Sequence, residues 1–99
     1  MSFSGGSYDE ITRWVWNFAT SHAKRVDPRI EVEVDAGDER EGVSYGLRLA
    51  LGARHTRTIE LDYKDVAAGR GGLAWCAARA ERIRELARSE LVIAAPAGR

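Results

Sequence analysis

The chain has 99 residues, room for one domain with one modest core. Its 15 basic and 15 acidic residues cancel, which argues against indiscriminate attachment to nucleic acid or anionic lipid. A single cysteine, Cys76, excludes an internal disulfide and a thiolate metal cluster, and points to a reducing compartment.

The elements come in the order α-β-β-β-α. The first helix is predicted over roughly residues 8–25. Ser7 followed by Glu10 makes a capping box, and Ile11, Trp14, Val15, Phe18 and His22 form one apolar stripe. Asp27-Pro28 ends it, because the residue before a proline avoids the α conformation. In the first strand Ile30, Val32 and Val34 face the core, while Glu31, Glu33 and Asp35 face out. After a polar loop over 36–42, the second strand sets Val43, Tyr45, Leu47, Leu49 and Leu51 inward. Ser44, Gly46, Arg48 and Ala50 lie on its other side. Gly52 to His55 turns the chain, and the third strand offers Ile59, Leu61 and Tyr63 inward.

A one-residue slip would turn a whole face over, so the apolar faces must pair. Keeping the apolar faces together sets Val34 opposite Val43, Val32 opposite Tyr45, Leu49 opposite Ile59 and Leu47 opposite Leu61. On the outer face Arg48 falls opposite Glu60, a favourable cross-strand pair.

The last part of the chain predicts a short turn at 65–68, a break at the glycines of Gly69-Arg70-Gly71-Gly72, and a main helix from about 72 to 90. Its stripe is Leu73, Cys76, Ala77, Ala80, Ile83, Ala87 and Leu91. The segment 94–99 is expected to be a flexible tail. The whole chain reads as one α+β domain: a three-stranded antiparallel meander, order 1-2-3, with two helices packed on one face.

Trp16 and Trp75 lie off these stripes, each about 130° round its helix at 100° per residue. With the apolar end Leu91, Val92 and Ile93 they are the candidate interface for a protein partner or a second copy, where tryptophan is enriched. Both outer strands are unpaired edges, and strand 1 is blunted by its acids. Strand 3 and the helix flanks are therefore the expected contact. Charge is split, with nine acids and five bases over 1–41 and six acids and ten bases over 42–99. Lys64, Arg70, Arg79, Arg82 and Arg88 on the basic side are the candidate anion or nucleic-acid contacts, with 69–72 as a backbone cradle.

His22 reads as a boundary histidine, His55 as a turn residue and Cys76 as a small apolar residue. No catalytic residue, metal-ligand cluster or cofactor motif is expected. Met1 to Gly6 lacks the features of a secretory signal, and no apolar run approaches the roughly 20 residues of a membrane span. Arginine outnumbers lysine 13 to 2, as in a GC-rich bacterial genome. The expectation is a small cytoplasmic bacterial interaction module that forms a homodimer.

Over roughly residues 7–88 the element order is similar to that of the double-stranded RNA-binding domain. The resemblance implies RNA contacts from the first helix, the first hairpin loop and a lysine-rich start of the second helix. Here the loop Gly37-Asp38-Glu39-Arg40-Glu41-Gly42 is net negative and lacks the family's usual histidine. The helix start, Lys64-Asp65-Val66-Ala67-Ala68-Gly69-Arg70, lacks the lysine run. No binding residue is carried over, and nucleic-acid binding through the basic side of the last helix is the alternative function. Type III secretion chaperones share the opening order but continue into further strands.

Overall fold

The computed structural model describes residues 7–92. Ile93 and the expected tail at 94–99 lie outside that range. Helix α1 spans Tyr8–Val26 and carries both bonds of the capping box: Glu10 N–H to Ser7 Oγ at 3.2 Å and Ser7 N–H to Glu10 Oε1 at 3.0 Å. Its buried line is Ile11, Val15, Ala19 and Ala23. Trp14, Phe18 and His22 form a half-buried flank rather than the centre of the stripe. The alanines let α1 lie close on the sheet, and that rolls the larger side chains to one side.

The sheet comprises β1 (Glu31–Asp35), β2 (Ser44–Leu51), β3 (Arg54–His55) and β4 (Ile59–Asp62), all antiparallel. β1 lies on one side of β2, and β3 and β4 share the other as two pieces of one interrupted strand. The meander order therefore holds, with four strands in place of three.

The pairings are offset from the expected ones. Val34 lies opposite Leu47 and Val32 opposite Leu49. Leu47 pairs with Ile59 and Tyr45 with Leu61. Both offsets are even, so every apolar face still points inward. In the first hairpin a 3₁₀ turn at Asp38–Arg40 lengthens the connection. Val43 then overshoots the end of β1 and is 58% exposed instead of buried.

Arg40 holds this loop across the outer face. Its guanidinium bonds Glu60 through both terminal nitrogens, reaches Asp35 at 3.2 Å and touches Ser44 Oγ at 3.2 Å. The crossing needs a glycine underneath, since a Cβ on Gly46 would stand 2.8 Å from Arg40 Nη2. Arg40, not Arg48, is thus the partner of Glu60; Arg48 pairs with Glu33 on β1.

The second hairpin shows why the third strand breaks. A two-residue turn sets Leu51 opposite Arg54, a register that would point Ile59 and Leu61 outward. One extra residue between His55 and Ile59, a β-bulge, restores the inward parity. Thr56 is buried there without an orphaned hydroxyl. Its Oγ1 accepts from Leu49 N–H at 3.1 Å and donates to Arg57 O at 2.8 Å.

Helix α2 (Tyr63–Gly69) follows β4 directly, with Asp62 as its N-cap. Helix α3 (Leu73–Glu90) begins after Gly71-Gly72. The expected break is present and Ala80, Ile83, Ala87 and Leu91 of the expected stripe are buried, but α3 is rolled toward Leu86 and away from Leu73 and Ala77. Ala80, Ile83, Leu86 and Ala87 are buried, with Leu91 just beyond them, whereas Leu73 is 91% exposed and Ala77 also faces solvent. Only the C-terminal half of α3 closes over the sheet, joining Leu47, Leu49 and Ile59 in the main core. A second cluster at the other end gathers Ile11, Val15, Tyr45, Val66 and Ala67. Among the described residues no helix is long and apolar enough to cross a membrane.

Candidate functional site

The rotation of α3 creates the site. Its first two turns carry Leu73, Ala74, Ala77 and Ala78 to solvent and send one large side chain, Trp75, back toward α1. That half of α3 stands off from α1 and β4 and leaves space between them. A cleft of about 310 Å³ results. Trp14 and Phe18 from α1 form one wall, Trp75, Arg79, Arg82 and Ile83 from α3 the other. β4 from Ile59 to Asp62 runs along the opening.

The aromatic groups are ordered by one another. Trp14 and Phe18 stack at 4.7 Å between centroids and 14° between planes, and Trp75 leans on Trp14 at 6.1 Å. At the rim Asp65 accepts from Trp75 Nε1 at 3.4 Å and from Arg79 Nη2 at 3.3 Å. The Arg79 guanidinium lies 4.8 Å above the Trp75 ring, a cation–π geometry. Arg82 makes no ion pair among the described residues. Glu60 is held below its ordinary carboxylate pKa by the Arg40 guanidinium. The lining offers apolar area with charged groups at its mouth, and among the described residues it contains no histidine, cysteine, serine, threonine or lysine.

The two strand edges are unlike. Trp16, 44% exposed, donates its indole N–H to Val32 O at 3.2 Å and so caps the edge of β1. Among the described residues β4 pairs with β2 alone and its outer edge carries no further strand. Leu91, expected at an interface, is 3% exposed and belongs to the main core, and Val92 packs against it. The α3 C-terminus turns inward, which removes Leu91 from any surface.

No family model, curated protein or solved structure matches this chain.

Of the basic candidates only Arg79 and Arg82 come together, on the α3 wall of the cleft. Arg79 is engaged by Asp65, and Arg88 by Glu81 at 3.0 Å and Glu85 at 3.2 Å. Lys64 lies on α2, and Arg70 caps its end. In the hairpin loop, Arg40 is turned onto the sheet. The glycines at 69–72 have ordinary backbone angles, since positive φ occurs only at Gly42 and Gly52 among the described glycines. Gly69 is required for space: a Cβ there would stand 2.4 Å from Trp75 Cδ1. Cys76 is half-buried with Sγ 3.3 Å from Arg70 O, and His55 Nε2 is 3.7 Å from Glu33. Among the described residues no three His, Cys, Asp or Glu side chains are placed to hold a metal ion.

His22 flanks the aromatic wall, edge-on to Phe18 at 4.7 Å, with Nδ1 3.2 Å from Arg84 Nη1. Burial, then the charges of Arg25 and Arg84, pull its pKa below the ordinary 6.5. The unfolded chain therefore binds a proton at a pH where the folded chain refuses it. That contribution to stability is present above pH 6.5 and falls away as pH drops through the folded value. The urea midpoint is expected to be lower at pH 5.5 than at pH 7.5, and His22→Gln should flatten the difference. An unchanged slope in the variant would rule His22 out as its source.

Proposed function

We propose that this protein is a non-catalytic interaction module that receives a polypeptide partner in the cleft beside β4. An aromatic-walled hollow next to a strand edge that has no partner strand among the described residues carries this reading. Cores of protein interfaces are rich in aromatic residues and arginine, and the walls here supply Trp14, Phe18, Trp75, Arg79 and Arg82. The proposed setting is a reducing bacterial cytoplasm, in keeping with the free thiol of Cys76.

A photoreactive benzoylphenylalanine at position 82, irradiated in an extract of the source cells, tests this. A discrete polypeptide adduct that survives nuclease supports the reading. An adduct that nuclease removes would replace it with nucleic-acid binding through Lys64, Arg70 and Arg82.

Self-association is a second reading, favoured by Leu73, which stands 91% exposed beside Gly72. Sedimentation at high micromolar concentration should then show a dimer that Leu73→Glu abolishes. A monomer at every concentration would end the homodimer reading.

A further inference from the structure

The geometry points to the occupant of the cleft: an extended segment of a different protein, apolar and basic in alternation, that adds to β4 as a new edge strand. The inference rests on the reading of the cleft as an interaction site and names what fills it.

The backbone comes first. Tyr63 N–H donates to Val43 O at 2.9 Å, while Val43 N–H turns back to Arg40 O, so a single bond fixes which way Tyr63 faces. By the period of two, Leu61 and Ile59 also turn their backbone groups toward β2. Glu60 then turns both of its backbone groups to the open edge and Asp62 its N–H, the Asp62 C=O being the first acceptor of α2. The opposite edge has no such vacancy at its centre, where the Trp16 indole occupies Val32 O.

Side chains set the alternation. Inward residues of an added strand would continue the row of Ile59 and Leu61 and enter the space walled by Trp14, Phe18 and Trp75. Outward residues would lie about 5 Å from Glu60 and Asp62. Arg40 approaches Glu60 across Gly46, from the β2 side, and leaves its carboxylate largely exposed. Basic side chains complement both acids from the open side.

The same charges disfavour the chain's own strands. In a two-fold β4 pair centred on Glu60, that residue faces its own copy. Centred on Leu61, Glu60 faces Asp62. β1 would bring Glu31, Glu33 and Asp35 to the same positions. Like charges directly opposite are destabilising, so the registers that pair β4 with its own copy over its full length, or with β1, are disfavoured.

The probe is fluorescein-labelled acetyl-Ser-Val-Lys-Ile-Arg-Val-Lys-Ser-amide, titrated by anisotropy with the unaltered protein. Two further versions carry N-methyl groups on alternate residues, and a fourth replaces each basic residue with glutamate. The parent peptide should bind and weaken with salt. One N-methylated version should match it and the other should bind at least tenfold more weakly, because only one of its edges faces β4. The glutamate version should also lose at least tenfold. Equal binding of both N-methylated versions would overturn strand addition, and equal binding of the glutamate version would overturn the charge assignment. Absence of parent binding at millimolar protein would overturn the proposed occupant. A nuclease-resistant polypeptide adduct at position 82 would then still stand, which separates this failure from failure of the interaction reading.

Discussion

Tyr45→Ala is expected to lower the unfolding free energy by about 3–5 kcal/mol, the usual cost of emptying an aromatic core position. Tyr45 is fully buried and stacks on Tyr8 at 4.7 Å and 10°. Tyr63 meets the same pair edge-on, and the Tyr45 hydroxyl donates to Tyr8 O at 3.0 Å. The removed ring belongs to the cluster that ties the first turn of α1 to β2 and α2. Nothing longer than the neighbouring rings can relax into the space. For a domain with a total stability of about 5–15 kcal/mol the loss is a large fraction.

Tyr45→Phe separates packing from hydrogen bonding. Tyr8 O also accepts from Thr12 Oγ1 at 2.8 Å, so removing the Tyr45 hydroxyl leaves no orphaned acceptor. The phenylalanine variant should cost about 1 kcal/mol or less. Urea unfolding of the two variants checks both numbers. A small effect of the alanine would mean that this end of the molecule is not a packed core.

The second large effect is one of sign. Gly69 ends α2 with φ outside the left-handed region, so an alanine there would ordinarily stabilise by about 0.4–1 kcal/mol. Here the added methyl would meet Trp75 Cδ1 at 2.4 Å and Cγ at 2.5 Å. Cγ is the root of the ring, so the indole must swing away as a whole. That gives up its contact with Trp14, its bond to Asp65 and the stacking of Arg79. Gly69→Ala is therefore expected to destabilise by about 1–3 kcal/mol, as other overpacking does, and to shift tryptophan emission to the red. In a Trp75→Ala background the same change should become neutral or stabilising. A destabilisation that persists without Trp75 would place the requirement in the backbone of the corner instead. Since Trp75 is a wall of the cleft, Gly69→Ala should also weaken any occupant.

Much of the fold was legible in the chain. The capping box, Asp27-Pro28 and the glycines after residue 68 set helix limits through local chemistry, and α1, α2 and α3 end within a few residues of them. Alternation identified the inward faces of the three strand segments. It could not choose among even registers, because an offset of two or four keeps every side chain on the same face. The offset was chosen by features outside the pattern: Arg40 reaching Glu60 over Gly46, and a two-residue turn whose register needed a bulge at Thr56 to recover its parity.

The candidate site was legible in part. Trp75 stood out by lying off its stripe, and strand 3 with the helix flanks was the expected contact. Trp14 and Phe18 continue the stripe of Ile11 and so read as core, while Leu91 reads both as the end of the α3 stripe and as part of an apolar surface end, of which the structure bears out the first. Only the alanines Ala19 and Ala23 would have signalled that α1 buries a narrower line, with its aromatic residues left at the margin. The amino-acid sequence by itself determined the element order, the helix limits and which side of each strand is apolar, since these follow from chemistry between near neighbours. Tertiary structure alone decided the registers, the rotation of α3, the capped edge of β1 and the open edge of β4, because each depends on side chains that meet across the sheet from distant parts of the chain.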